Sequence, residues 1–444
     1  MPGKHNDAGR TSMVAEVSPP RVLRGEITPP GDKSISHRAV LLNSIAEGRA
    51  RISNFSPGAD CSATVACLRA LGADIRRRPS EAATLEVEGV GMRGLKEPAD
   101  VLNAGNSATT MRLLCGLLAA QPFLTIITGD ASLRSRPMDR VIRPLSLMGA
   151  SIWGRAGDSF GPLAVKGGHL RGIDYTLPVA SAQVKSAILI AALSAEGATT
   201  VAEPARSRDH TERLLQAMGV DVRVESLAVS VAGPVGRLNA VDVHVPGDIS
   251  SAAYWMVAAA IHGNARIKLR DVGVNPTRTG VIDVLLKMGA KLRIENQRSA
   301  GNEPLADLVV ESSELGGVEI ASDLVPRLID EIPVIAVAAC VAKGTTVIRD
   351  AAELRVKETD RIRDLASELS RLGASVEEMP DGLAIHGGGK LRGARCSSHG
   401  DHRLAMALGI AGLTAEGKTI IEQAEVAGVS YPSFWQDMRG SGGV

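Results

Sequence analysis

Aromatic side chains are nearly missing: four Phe, three Tyr and three Trp make up 2% of 444 residues. So sparse a supply leaves no rows of rings on which successive nucleobases could stack. A formal net charge of +1 adds no general attraction for nucleic acid or an anionic membrane. Cysteine is scarce too. The five (Cys61, Cys67, Cys115, Cys340, Cys396) form no CxxC pair, and an odd number without a secretory signal reads as reduced thiols in a cytoplasmic protein. Cys115 and Cys340 lie inside apolar helix patterns, which assigns them to packing. No apolar run reaches the roughly eighteen residues that a membrane-spanning helix needs. HExxH and Cys/His ligand sets are absent as well, so no metal is expected. GDKS at Gly31 to Ser34 invites comparison with a phosphate-binding P-loop, but Asp32 stands where that motif has the glycine before its lysine, which disfavours a nucleoside triphosphatase.

What the chain does have is an internal repeat. Six times a long apolar helix pattern opens behind polar residues, at Ser36, Ser107, Ser181, Ser250, Asp330 and Asp401, spaced 69 to 80 residues apart. Stretches such as VKSAILIAALSAEG and AAYWMVAAAIHG are apolar nearly all round, which predicts buried helices, most of them followed by a glycine stop signal (Gly48, Gly197, Gly263, Gly344, Gly417). A second, amphipathic helix per unit ends in a shared phrase, LRALGADI, LSLMGASI, LQAMGVDV, LLKMGAKL and SRLGASV, in which a helix stops at glycine and a β-branched run follows. At 44% hydrophobic and 22% charged, the chain has material for two cores, hence two domains of three units each. Residues 1–20 carry mixed charge and no apolar run, and are expected to be a disordered lead; 441–444 are expected to fray.

Buried helices need no charge at their N-termini for solubility, yet these openings and their nearby loops carry Lys33, Ser34, His37, Arg38, Asn106, Arg112, Arg134, Arg136, Gln183, Lys185, Arg208, Lys357, Arg361 and Arg403, with Asp330, Glu331, Glu358, Asp401 and His402. Unpaired N–H groups and the helix macrodipole favour an anion at such an end. Any single Ser or Asp could be only a cap. Six openings gathering cations in a nearly neutral chain point instead to capture of small phosphorylated or carboxylated molecules.

PGDKSISHRAVLL (Pro30 to Leu42), GNSATTMRLL (Gly105 to Leu114), GDASLRSRPM (Gly129 to Met138), ASAQVKSA (Ala180 to Ala187), SRDHTERLL (Ser207 to Leu215), IDEIP (Ile329 to Pro333), ELRVKETDRI (Glu353 to Ile362) and DHRLAMA (Asp401 to Ala407) closely resemble the 3-phosphoshikimate 1-carboxyvinyltransferases. The resemblance runs from about Val22 to Pro432. It implies an α/β fold, a two-domain inside-out α/β barrel of six βαβαββ units, three per domain: 31–246 as the first domain, 21–30 plus 247–440 as the second. It implies transfer of the enolpyruvyl group of phosphoenolpyruvate to the 5-hydroxyl of shikimate 3-phosphate with release of phosphate, without metal or organic cofactor. The two substrates are the only partners expected of a cytoplasmic monomer, with no nucleic acid and no membrane.

By the same resemblance Lys33, Ser34, Arg38, Ser181, Ala182, Gln183, Arg208, Asp330 and Lys357 belong to the shikimate 3-phosphate side. Lys33, Asn106, Ala108, Arg136, Gln183, Arg361, His402 and Arg403 belong to the phosphoenolpyruvate side. Asp330 is the expected base at the hydroxyl, Glu358 the proton donor and acceptor at carbon, and Lys33 an assistant. Two departures matter. Ala108 stands where many members have glycine, placing a methyl toward the phosphoenolpyruvate pocket, and Gly428-Val429-Ser430-Tyr431-Pro432 lacks the lysine of some members. With VKETDRI and SRDHTE they suggest the glyphosate-insensitive branch. UDP-N-acetylglucosamine enolpyruvyl transferase is the nearest rival, disfavoured by DKSISHR and by the lack of an evident loop cysteine; a non-catalytic repeat scaffold would explain the periodicity but not the cations.

Overall fold

The computed structural model describes residues 13–78 and 80–441. Its apolar residues gather into two separate cores. One is drawn from Ile35 to Val245, the other from Ala15 to Ile27 together with Ile249 to Met438. Six small sheets surround them, five of four strands and one of three.

The third unit shows the plan. Asp174–Thr176 leads to the buried helix Ala182–Ala192, then Gly197–Ala202, the amphipathic helix His210–Ala217, Val222–Glu225 and Ala228–Gly233. In the sheet the first strand pairs parallel with the second, and the last strand lies antiparallel between the second and third. Alternation fixes which side faces in: Thr199 and Val201 are buried on the strand that follows the inner helix. The expected stop at glycine is seen in all five phrases, where Gly72, Gly149, Gly219, Gly289 and Gly373 adopt φ between 88° and 113°.

The six inner helices are Lys33–Ser44, Ala108–Leu118, Ala182–Ala192, Ile249–Ile261, Ile332–Val341 and His402–Gly412. Each is buried along nearly its whole length, as apolar surface on every side requires. Small residues let them approach closely: a Cβ added at Gly116 of the second would lie 2.3 Å from the carbonyl oxygen of Ala187 in the third. The observed N-caps are Asp32, Ser107, Ser181, Asp248, Glu331 and Asp401, so Ser36 and Ser250 lie inside their helices and Asp330 just before its own. Gly48, Gly197, Gly344 and Gly417 do not cap these helices. They turn the chain with positive φ a few residues further on, at or near the return strand.

The chain crosses between the cores twice, and the crossings lie side by side. The Asp32 amide donates to the Pro246 carbonyl at 2.8 Å and the Asp248 amide to the Pro30 carbonyl at 2.8 Å. Gly31 is required here, because a Cβ would sit 1.7 Å from the Asn54 carbonyl oxygen.

The expected disordered lead needs correction. Residues 1–12 lie outside the described residues, but Ala15–Val17 is a strand, antiparallel to Thr419–Ile421, with Val17 fully buried. It supplies the third strand of the sixth sheet, which otherwise holds only Arg395–Ser397 and Thr419–Glu422. Alternating Ala15 and Val17 against a sheet edge outweigh the mixed charge that suggested disorder. At the other end Ser441 is buried and its amide donates to the Asp437 carbonyl, while 442–444 lie outside the described residues. Among the described residues no helix is long and apolar enough to cross a membrane.

Candidate active site between the two cores

Asp330 stands one residue before the cap of the fifth inner helix, and four cations surround its carboxylate. Arg208 Nη2 lies 2.5 Å away, Arg361 Nη1 3.6 Å, Arg403 Nη2 3.7 Å and Lys357 Nζ 3.9 Å. Arg208 comes from the first core and the other three from the second. Burial alone would raise the pKa of Asp330, but these cations together overcome that and hold it well below the usual carboxylate range.

Glu358 repeats the pattern. It sits in the turn before the amphipathic helix Arg361–Arg371, bonded to Arg361 Nη2 at 2.5 Å and facing Arg136 Nη1 of the first core at 3.5 Å. Burial again pushes up, and Arg361, Arg136 and Lys33 outweigh it, so Glu358 is held ionised. Arg361, only 1% exposed, also bonds Asp401 at 2.7 Å, so one guanidinium meets three carboxylates.

On the first core the DKSISH run folds around a cap. Asp32 accepts from the Ile35 amide, which sets Lys33 and Ser34 on the opening turn. Lys33 Nζ bonds Asp60 at 3.1 Å; burial would lower its pKa, but Asp60 more than compensates and the ammonium stays charged. Ser34 Oγ accepts from Arg208 Nη1 at 3.3 Å. Arg38 lies one turn behind, its nitrogens donating to Thr211, Ser186 and the Ser34 carbonyl. Asn106 accepts from Arg136 Nη2 at 2.6 Å, and Ala108 is the buried first residue of the second inner helix. Ser181, Ala182 and Gln183 open the third inner helix; Ser181 makes no capping bond with its side chain, and Gln183 bridges Arg112 and Thr109. His402 is buried, and burial together with Lys33 keeps its imidazole neutral.

Ion pairs from Arg208 to Asp330 and from Arg136 to Glu358 thus join helix starts and approaches of the two cores, while the hydrogen bonds of Arg38, Ala182 and Gln183 stay within the first core. Arg136, Arg208 and Arg361 come from the starts or approaches of amphipathic helices, not inner ones. Lys185 is the exception among the grouped cations: it is 2% exposed and bound at 2.7 Å to both Glu203 and Glu212. Three buried polar atoms at the junction, Arg136 Nε, Arg361 Nη1 and His402 Nε2, have no hydrogen-bond partner among the described residues, which marks them for a ligand. Sequence reasoning missed Asp60, which holds Lys33, and the bridge between Arg140 and Glu353 at 3.0 Å. Only their distance to a cation across the fold reveals them. An opening of about 460 Å³ lies away from this junction, lined by Lys185, Arg213 and Asn302 among others, and neither Asp330 nor Glu358 lines it.

A family model described as EPSP synthase (3-phosphoshikimate 1-carboxyvinyltransferase) matches residues 17–438. The chain belongs to the EPSP synthase family. It is 57% identical over 423 residues to the 3-phosphoshikimate 1-carboxyvinyltransferase of Synechococcus sp. (strain JA-3-3Ab), covering 95% of each chain. To that of Herpetosiphon aurantiacus it is 53% identical, covering 96% of this chain and 98% of the relative. The solved EPSP synthase of Acinetobacter baumannii superposes with a TM-score of 0.86 at 45% identity, covering 97% of this chain and 98% of that one. The two-core α/β architecture is therefore the EPSP synthase fold. The rival with a reactive loop cysteine is disfavoured by the thiols themselves: all five cysteines are buried, and burial pushes Cys115, Cys340 and Cys396 up to about 12.

Proposed function

We propose how the residues between the cores divide the work of this family's reaction. The chain is an enzyme, a 3-phosphoshikimate 1-carboxyvinyltransferase that transfers the enolpyruvyl group of phosphoenolpyruvate to shikimate 3-phosphate and releases phosphate. Ser34, Arg38, Ser181, Ala182, Gln183, Arg208, Asp330 and Lys357 form the shikimate 3-phosphate side, and Asn106, Ala108, Arg136, Gln183, Arg361, His402 and Arg403 the phosphoenolpyruvate side, with Lys33 between them. The observation that carries this reading is the ring of four cations on Asp330, drawn from both cores.

The same ring supplies a switch in basicity. With its cations engaged, Asp330 is too weak a base to take a hydroxyl proton. Phosphate and carboxylate groups of the substrates compete for Arg208, Lys357, Arg361 and Arg403, and each cation drawn off raises the carboxylate's proton affinity. Glu358 draws a proton from solvent by the same route when phosphoenolpyruvate takes Arg136 and Arg361, delivers it to the methylene carbon as the hydroxyl oxygen adds to the enol carbon, and takes one back from the resulting methyl as phosphate leaves and the double bond re-forms. Lys33, already charged, offers a nearby positive group to the leaving phosphate.

Further parts of the reading are a monomer, a cytoplasmic location, domain limits at 31–246 and at 21–30 with 247–440, and membership of the glyphosate-insensitive branch. The two cores support the division near 31 and 246 but carry the second domain back to Ala15, ahead of residue 21, and the side chain of Ala108 at the helix start supports the branch. Phosphate release from phosphoenolpyruvate in the presence of shikimate 3-phosphate tests the activity. Release with UDP-N-acetylglucosamine, and none with shikimate 3-phosphate, would overturn it.

A further inference from the structure

Arg278 is 2% exposed and touches no residue assigned to either substrate. Its guanidinium lies 3.0 Å from Asp32, 3.5 Å from Asp248 and 3.6 Å from Glu331, and donates to Ser250 Oγ at 2.8 Å. Asp32, Asp248 and Glu331 are the N-caps of the first, fourth and fifth inner helices. One side chain therefore meets three helix starts, where the macrodipole by itself disfavours a cation. The carboxylates reverse that balance, and without Arg278 three of them would be buried close together.

The three caps are placed where the site is built. Asp32 precedes Lys33 and Ser34 at one chain crossing, Asp248 sits at the other, and Glu331 follows Asp330. The tight turn that carries Arg278 also reaches the first core: Asn275 Nδ2 donates to Asp209 at 2.7 Å, next to Arg208, and to Glu303 at 3.0 Å. Asn275 and Arg278 together hold the neighbours of Arg208, Lys33, Ser34 and Asp330.

We infer that Arg278 is a positioning residue: its guanidinium locks the starts of three inner helices so that Lys33 and Ser34 of one core stand in register with Asp330 of the other. This rests on the assignment of Lys33 and Asp330 to the reacting site. A lysine at 278 keeps the charge but cannot spread it over three carboxylates, since an ammonium is a compact point charge and the guanidinium a planar fork. Misplacement of reacting groups by about 1 Å costs on the order of a hundredfold in rate.

The test is steady-state phosphate release with both substrates. Arg278→Lys is expected to lose roughly tenfold to a hundredfold in kcat, with KM for each substrate far less affected. Arg278→Ala is expected to regain turnover when guanidinium ion is added well below denaturing concentration, and the unmodified enzyme to gain nothing. Wild-type kcat in Arg278→Lys overturns the inference. So does loss of thermal stability without a change in the kcat of the folded enzyme. Should the Lys variant fail to fold, Ser250→Ala removes the hydroxyl that accepts from Arg278 and donates to Glu331 and leaves the three carboxylates facing the guanidinium; it is expected to lower kcat by about threefold, within the worth of a hydrogen bond to a charged group, and an unchanged kcat there overturns the inference. Lys33→Ala and Asp330→Asn run in parallel separate the two claims: if they retain turnover the site assignment falls, and if they lose it while Arg278→Lys does not, only the role of Arg278 falls.

Discussion

Arg208 of the first core reaches Asp330 of the second at 2.5 Å, and the same guanidinium donates to Ser34 Oγ at 3.3 Å. The base proposed for the hydroxyl and a serine proposed for the shikimate phosphate are thus held by one cation. Replacing Asp330 by Asn keeps the shape and removes the base. Turnover is expected to fall by about a hundredfold to ten-thousandfold, measured as phosphate release, while shikimate 3-phosphate still binds.

Glu358→Gln probes the second proton. Because Glu358 lies between Arg136 and Arg361, the amide keeps the size of the side chain and its oxygen still accepts from one of them while its NH2 meets the other, but it can neither give nor take the proton at carbon. Turnover is expected to drop far more than substrate binding, read by comparing kcat with calorimetric Kd. Near-normal turnover removes Glu358 from that role.

Acid should unlock the junction. Asp330 and Glu358 have pKa values in the folded protein below those of an unfolded chain. Their contribution to stability is then complete above the unfolded value of about 4. It is lost as pH falls through the lower folded values. Urea unfolding between neutral pH and about pH 3 should show a steep acid loss in the wild type and a shallower one in Asp330→Asn.

Lys185 gives the opposite kind of variant. It binds Glu203 and Glu212 in the interior and faces no proposed ligand, so Lys185→Met leaves two buried carboxylates unpaired. A loss of about 3–5 kcal/mol in unfolding free energy is expected, with the kcat of the remaining folded enzyme little changed.

Ala108→Gly tests the branch assignment. Removing the methyl at the start of the second inner helix is expected to make the enzyme more sensitive to glyphosate, measured as inhibition competing with phosphoenolpyruvate. Strong inhibition of the wild type, unchanged in Ala108→Gly, would refute it.

Much of this was legible in the sequence because its signals are local. A helix apolar on every side has nowhere to go but inward, and a glycine with positive φ after LRAL or LQAM ends a helix wherever it occurs. Motif order then placed Lys33, Arg136, Asp330 and Glu358 at helix starts. What sequence could not show is which charge meets which. Asp60 is 27 residues from Lys33, Glu353 213 residues from Arg140 and Asp32 246 residues from Arg278. Ala15–Val17 was hidden for the same reason: three residues become a strand only because an open sheet edge formed near residue 420 receives them.

That last pairing has a consequence for biosynthesis. The three sheets of the inserted core are complete once Val243–His244 has been made, since every strand they need lies between Glu47 and that point. The enclosing core must hold Ala15–Val17 and Leu23–Ile27 in reserve, one until Thr419–Ile421 leaves the ribosome and the other until Ala265–Leu269 does. In order of synthesis the inserted core can therefore close before the enclosing one, whose strand Ala15–Val17 is seated only after Thr419–Ile421 has been made.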